Sequence, residues 1–269
     1  MGGNMPAAYT HDRLGQQIRT LAAGEIRRII DTHRQLFTIG LQGPDIFFYY
    51  KPLFKNTVKE IGHHVHHESG VTFFRRAGEV VRNHSHNPTE YEAHLAYLYG
   101  FLCHFTLDVL CHGVINRTVK ETGVCHSAVE SLLDRAFMLR DGVDPARHKP
   151  TAHLVPSPEN AVVIKDFYPG TTIDQVKKGV SGMVTYCNIL VMPTEAKRKL
   201  FDVLLRLTGN YEDLMGHIIP TGSNPACETA IEEIIGLYEE AKERIPPLLE
   251  QLPDFTDEIF RYNFNSTII

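Results

Sequence analysis

Residues 90–116 read EYEAHLAYLYGFLCHFTLDVLCHGVIN, and between positions 95 and 115 almost every side of a helix would be apolar. Leu95, Leu98, Leu102, Phe105 and Val109 keep a three-and-four spacing, and Tyr97, Phe101, Leu107 and Leu110 fill the remaining faces. A helix that is hydrophobic all round is a buried helix. Inside this one stand His104, Asp108 and His112, each four positions from the next. With about 3.6 residues per turn, those three side chains stack on one face. Burying a carboxylate and two imidazoles is costly unless something satisfies them. A hydrogen-bonded core network is one solution. A metal ion is the other, and two histidines and an aspartate in one row favour the metal.

The chain has 269 residues, 43% of them hydrophobic and 22% charged, enough for a sizeable core in an ordinary globular protein. Its net charge of −5 gives no strong pull toward nucleic acid or an anionic membrane. Five cysteines at unrelated spacings do not make a disulfide framework. Together with an opening, MGGNMPAAYTHDRLG, that lacks the features of a secretory leader, they lead us to expect a cytoplasmic protein. No apolar stretch is expected to reach the ~18 residues of a transmembrane helix. Twelve of the fifteen histidines fall at or before position 126, so the chemistry is sought in the first half.

Helical periodicity is expected over residues 14–31, 71–82, 125–138, 173–190, 194–207 and 227–252, the last interrupted by Pro246 and Pro247. Gly40, Gly43 and Pro44 break the chain ahead of Asp45, which either caps a helix or lines a cavity. IGHHVHHESG, residues 61–70, reads as a solvated turn for most of its four histidines. Asn87 or Thr89 caps the central helix. His126 and Glu130 share one face of the next helix, and a turn after His112 can bring them beside the first row. Residues 141–158 are Pro-rich and read as a long loop, a lid or a lobe boundary, and 228–258 as an acidic solvated face. Nothing alternates with period two, so the expected fold is all-α, a single multi-helix domain over 1–269.

In order, the candidates are His11, Asp45, a histidine near 66, His104-x-x-x-Asp108, His112 and His126-x-x-x-Glu130. This series resembles the zinc-dependent phospholipase C family, which shares its fold with the single-strand-specific zinc nucleases. HFTLDVLCH followed by HSAVE is the most specific match, with GLQGPDIFFY similar to the family's aspartate segment and THDRLG to its N-terminal histidine segment. The resemblance spans residues 6–140; 141–269 is a helical extension without a recognised role. It implies an all-helical fold enclosing two to three zinc ions. Asp45, His66, His104 and Asp108 would hold one. Asp108 would bridge to a second that takes His11, and His112, His126 and Glu130 would hold the third. His66 is chosen ahead of His63.

The chain departs from the family in three places. It has no tryptophan, whose terminal amine and carbonyl bind zinc in secreted members. Only three residues separate Asp108 from His112, and Ile46 follows Asp45 where choline-handling enzymes carry an aromatic. The implied activity is zinc-dependent hydrolysis of a phosphodiester, with Asp45 orienting or deprotonating the attacking water. The absence of a basic stripe gives no nucleic-acid footprint and the absence of a basic amphipathic anchor gives no membrane one, so phospholipid is favoured over nucleic acid only by the closer motif resemblance. A zinc-dependent nuclease and a non-catalytic metal-binding or interaction protein on the same fold are the alternatives. An HD-type phosphohydrolase, suggested by His11-Asp12, is set aside because the upstream histidine of that motif is missing.

Overall fold

The structure, a computed structural model, describes residues 7–207, 211–253 and 258–268. Among these residues the chain is all-α, with one isolated antiparallel bridge between Tyr262 and Ile268. Helices α1 (Ala8–Leu21), α2 (Gly24–Thr32) and α3 (Arg34–Gly40) lead into a 3-10 segment, Gly43–Tyr49. Then come α4 (Thr57–His67), α5 (Gly70–Asn83), α6 (Pro88–Thr122) and α7 (His126–Arg140). The second half adds α8 (Pro158–Asp166), α9 (Ile173–Ile189), α10 (Glu195–Arg206), α11 (Tyr211–Gly216) and α12 (Glu228–Glu250).

The axis is α6. Asn87 caps it, its side-chain oxygen accepting from the N–H groups of Thr89 and Glu90, while Pro88 sits in the first turn where a missing N–H costs nothing. At the far end Gly123, with φ 73°, takes the left-handed conformation and donates to the Val119 carbonyl. Every residue from 93 to 109 is buried. By length and composition α6 could cross a membrane, contrary to the expectation above; in this fold 89% of its most apolar window lies inside the molecule. It is therefore the core helix.

Two helices press closely on it. Gly40 of α3 and Gly100 of α6 let the backbones meet, since a Cβ on Gly100 would lie 2.0 Å from the Phe37 carbonyl oxygen. Helix α12 offers Ile231, Ile234, Ile235, Tyr238, Ala241, Ile245, Leu248 and Leu249, a three-and-four stripe, to the same core. At about 1.5–3 kcal/mol per fully buried large side chain, this stripe is a major part of the core. Phe73 stacks on Phe101 at 4.0 Å between centroids, with Phe74, Phe105 and Phe260 packed around them.

Several sequence expectations are corrected. Residues 14–31 divide into α1 and α2 at Ala22 and Ala23, whose extended backbone ends the first helix, and Gly24, with φ 54°, opens the second. Residues 57–67 are helix, not turn, with Asn56 capping by accepting from Lys59 N–H. Pro246 and Pro247 lie inside α12 without ending it, because Ile245, Leu248 and Leu249 on either side are held in the core. The Pro-rich stretch is a loop as far as Ser157, tied to α3 by Gln35, whose side chain donates to the His153 carbonyl and accepts from Val155 N–H. Ser157 caps α8, with Pro158 in the first turn. Finally, α10 buries none of its side chains and exposes Leu200, Val203, Leu204 and the adjoining Leu207 beside Lys199 and Arg206.

Candidate metal centre

All eight side chains singled out in the sequence meet in one place, delivered by five elements: α1, the 3-10 segment, α4, α6 and α7. Helix periodicity does most of the work. His104, Asp108 and His112 point to one side of α6, and His126 and Glu130 face them from the first turns of α7. Asp45, in the first turn of the 3-10 segment, makes no capping bond and turns its buried carboxylate inward, toward His66 and His104. Of the four clustered histidines, His66 is buried and His63 lies against Phe48, while His64 and His67 are exposed.

The donor atoms form a chain. His66 Nε2 is 3.0 Å from Asp45 Oδ1, and His104 Nε2 is 3.7 Å from Asp45 Oδ2. His104 Nε2 is 3.3 Å from Asp108 Oδ2, whose partner oxygen Oδ1 lies 3.3 Å from His11 Nε2 and 3.7 Å from His112 Nε2. Glu130 Oε1 is 3.7 Å from His112 Nε2 and 3.3 Å from His126 Nε2. Three sets result, with donor atoms mutually within 4.8 Å: Asp45, His66 and His104; His11, His104 and Asp108; His112, His126 and Glu130. The i, i+4 spacing of Asp108 and His112 thus still brings both to the centre.

Hydrogen bonding fixes two of the rings. His66 Nδ1 lies 2.8 Å from the Gly62 carbonyl and His104 Nδ1 lies 3.1 Å from the Leu41 carbonyl. A carbonyl only accepts, so both Nδ1 atoms carry the proton and both Nε2 atoms turn a lone pair toward a carboxylate. Buried Asp45 Oδ1, His104 Nε2, His126 Nε2 and Glu130 Oε2 find no hydrogen-bond partner. Lone pairs facing carboxylate oxygens need positive charge between them. Neutral imidazole nitrogens and carboxylate oxygens are zinc donors, so the residues fit that metal.

The electrostatics agree. Burial alone would raise the Asp108 carboxyl, but the His112 and His104 imidazoles hold it well below the usual carboxylate range. Burial likewise works against charge on Glu130, and His126 and His112 nevertheless bring it down to about 2. His112 is pushed down by burial and up, to about 9, by Asp108 and Glu130. His11 and His66 are similarly raised over the burial penalty, by Asp108 and Asp45 respectively. Without a metal, this centre holds protons.

Other residues around the centre escaped the sequence reading. Phe264 is fully buried, its ring centroid 5.0 Å from that of His66 and 5.7 Å from that of His104. Asn265 Nδ2 donates to the His66 carbonyl, and Ser266 Oγ donates to the Val109 carbonyl while accepting from Gly113 N–H. The carboxylate of Asp134 accepts from Tyr9 N–H, Thr10 N–H and the Thr10 hydroxyl, anchoring the start of α1 and with it His11. Its i, i+4 relation to Glu130 on α7 is the one signal that could have marked it. Phe47, Phe48 and Tyr49 are core side chains. Asp12 turns away from the centre, toward Gln16 and His153, so the His11-Asp12 pair does not act as one unit. The ligand side chains are nearly closed off, and His126, at 17% exposure, is the most open of those in the carboxylate–imidazole contacts.

Compared with known proteins, residues 7–178 match the model of the family described as zinc dependent phospholipase C. The match covers more than half of the chain and runs beyond residue 140 through α8 into α9. No curated protein and no solved structure matches the chain.

Proposed function

Since the chain belongs to the zinc-dependent phospholipase C family, we propose that it is a zinc-dependent phosphodiester hydrolase acting on a phospholipid. The observation that carries this reading is Asp108, whose two oxygens face three imidazoles and so join neighbouring donor sets. The holders of zinc would be His11, Asp45, His66, His104, Asp108, His112, His126 and Glu130. Bound there, zinc supplies Lewis acidity toward a phosphoryl oxygen and makes water acidic enough to serve as a nucleophile near neutral pH.

The chain's own residues do the rest. Asp45, held between His66 and His104, accepts a proton at a carboxylate oxygen and orients the water that loses it. Asp108 stays ionised throughout, which keeps the imidazoles around it in place. The aromatic surroundings, Phe48 and Phe264 among them, exclude bulk water and strengthen every charge interaction inside.

A lipid substrate is supported by the exposed apolar faces of α10 and of Leu53 and Phe54, the latter between Lys51 and Lys55. The net charge of −5 supports it over nucleic acid. A cytoplasmic location belongs to the same reading, supported by five free cysteines, and cell fractionation checks it. The deciding assay compares zinc-loaded wild type and Asp45→Asn on phosphatidylcholine vesicles, single-stranded DNA and an activated aryl phosphodiester. Headgroup release that falls by at least ~100-fold in the variant is expected. Cleavage of DNA alone would reassign the chain as a nuclease.

The enclosure of the centre by Phe264 favours a second reading, a metal-binding protein without catalysis. A zinc-loaded protein inert toward even the aryl ester would establish it.

A further inference from the structure

A second cluster of donors lies away from this centre. His84 is the residue that ends α5, His94 belongs to the second turn of α6, and Asp166 is the last residue of α8. His94 precedes His104 by ten positions, a rise of about 15 Å along one helix, so the two places are separate.

His94 is almost fully buried, and its Nδ1 lies 2.7 Å from the Glu90 carbonyl. The carbonyl can only accept, so Nδ1 carries the proton. His84 Nδ1 lies 3.0 Å from the Glu90 carboxylate, whose other oxygen accepts from Asn87. Here too Nδ1 is the donor. Both Nε2 atoms are then left facing one oxygen, Asp166 Oδ2, at 3.2 Å from His94 and 3.5 Å from His84. The two rings stack, with centroids 3.8 Å apart.

Neither simple protonation pattern suits this arrangement. With both rings neutral, two lone pairs confront a carboxylate oxygen. With both protonated, two stacked cations adjoin a third, Lys165 Nζ, which lies 2.7 Å from Asp166 Oδ1. Singly protonated, one contact is satisfied and the other is not. One divalent cation answers all three donors together. With bonds of about 2.0–2.2 Å, tetrahedral donors stand about 3.3 Å apart, close to the separations found here. The three donor atoms lie within 4.8 Å of one another. A carboxylate and a backbone carbonyl behind the two imidazoles are the outer partners that metal-binding histidines require.

We propose that His84, His94 and Asp166 form an additional binding site for a zinc-like divalent cation, completed by water and fastening α5, α6 and α8 together. Two imidazoles and one carboxylate oxygen select a borderline transition metal over magnesium or calcium. The near-parallel rings must splay to converge on one ion. His84, with its side chain 25% exposed, has the room to turn.

The test uses the full chain, stripped by chelator, reloaded with zinc and freed of excess. Zinc per chain is measured in wild type, His84→Ala, Asp166→Asn and His112→Ala. His84→Ala and Asp166→Asn should each bind one zinc fewer than wild type. His112→Ala reports on the other centre, so failure of this site and failure of the proposed hydrolase are read apart. Melting with and without zinc controls for folding. Zinc-free wild type and His84→Ala should melt together, with zinc raising the wild type further. Equal zinc content in wild type and both site variants, or melting curves that rise in parallel on adding zinc, would overturn the site.

Discussion

Gly43 and the His104 imidazole adjoin with no space for a methyl group between them: a Cβ on Gly43 would lie 2.4 Å from the ring's Cδ2. Gly43 also has φ 51°, in the left-handed region. Gly43→Ala therefore meets backbone strain of about 1–2 kcal/mol and a steric clash of about 1–3 kcal/mol. It must move either His104 or the segment carrying Asp45. The expected result is a Tm lower by at least ~5 °C together with loss of bound zinc. A variant with unchanged melting and full zinc content would show that the ring yields freely.

Asp108→Asn removes the one carboxylate shared by His11, His104 and His112. Breaking a buried charge network from one side costs about 3–5 kcal/mol. Zinc content should fall by at least one ion per chain, with hydrolysis lost at every pH. Full activity in Asp108→Asn would exclude the proposed mechanism.

How much of this centre was legible in the sequence depends on distance along the chain. His104, Asp108 and His112, like His126 and Glu130, announce themselves because i and i+4 share a face whatever the tertiary structure. The choice of His66 over His63 becomes a matter of geometry once residues 57–67 are helical, since only His66 then points inward. Ser157-Pro158 before α8 was a readable start signal that the Pro-rich surroundings masked. Phe264, Asn265 and Ser266 carry no such signal. Their contacts with His66, Val109 and Gly113 span more than 150 positions and depend on packing alone. Pro246 and Pro247 stay within α12 because tertiary burial of Ile245, Leu248 and Leu249 outweighs local propensity.

Zinc uptake by the metal-free protein should release a proton from His112. Its value of about 9 means the ring is charged at neutral pH and must deprotonate to coordinate. Apparent affinity at the His112, His126 and Glu130 set should rise about tenfold per pH unit and level off above about pH 9. Binding calorimetry in two buffers of different ionisation enthalpy measures the proton count. A count of zero at pH 7 would contradict this picture.

Asp134 gives a pH dependence of opposite character. Burial pushes its carboxyl up to about 6, although Thr10 and Tyr9 donate to it. Between about pH 4 and 6 the folded chain keeps a proton that the unfolded chain has released. Its contribution to stability is therefore greatest below that window and declines as pH rises through it, by up to about 3 kcal/mol. Carboxyl carbon NMR should show Asp134 titrating near 6, well above exposed aspartates. Titration near 4 would remove the effect.

The cover over His66 and His104 also sets an order in time. Glu130, the last of the eight donors to be synthesised, precedes Phe264 by 134 positions. At about 5–20 residues per second, the donor set is complete roughly 7–27 s before the ribosome adds the side chain that closes over it. An ion arriving in that interval meets donors that Phe264 does not yet shield. In the finished fold Phe264 covers His66 and His104, while His126 at the other end of the row stays the most open of the donors.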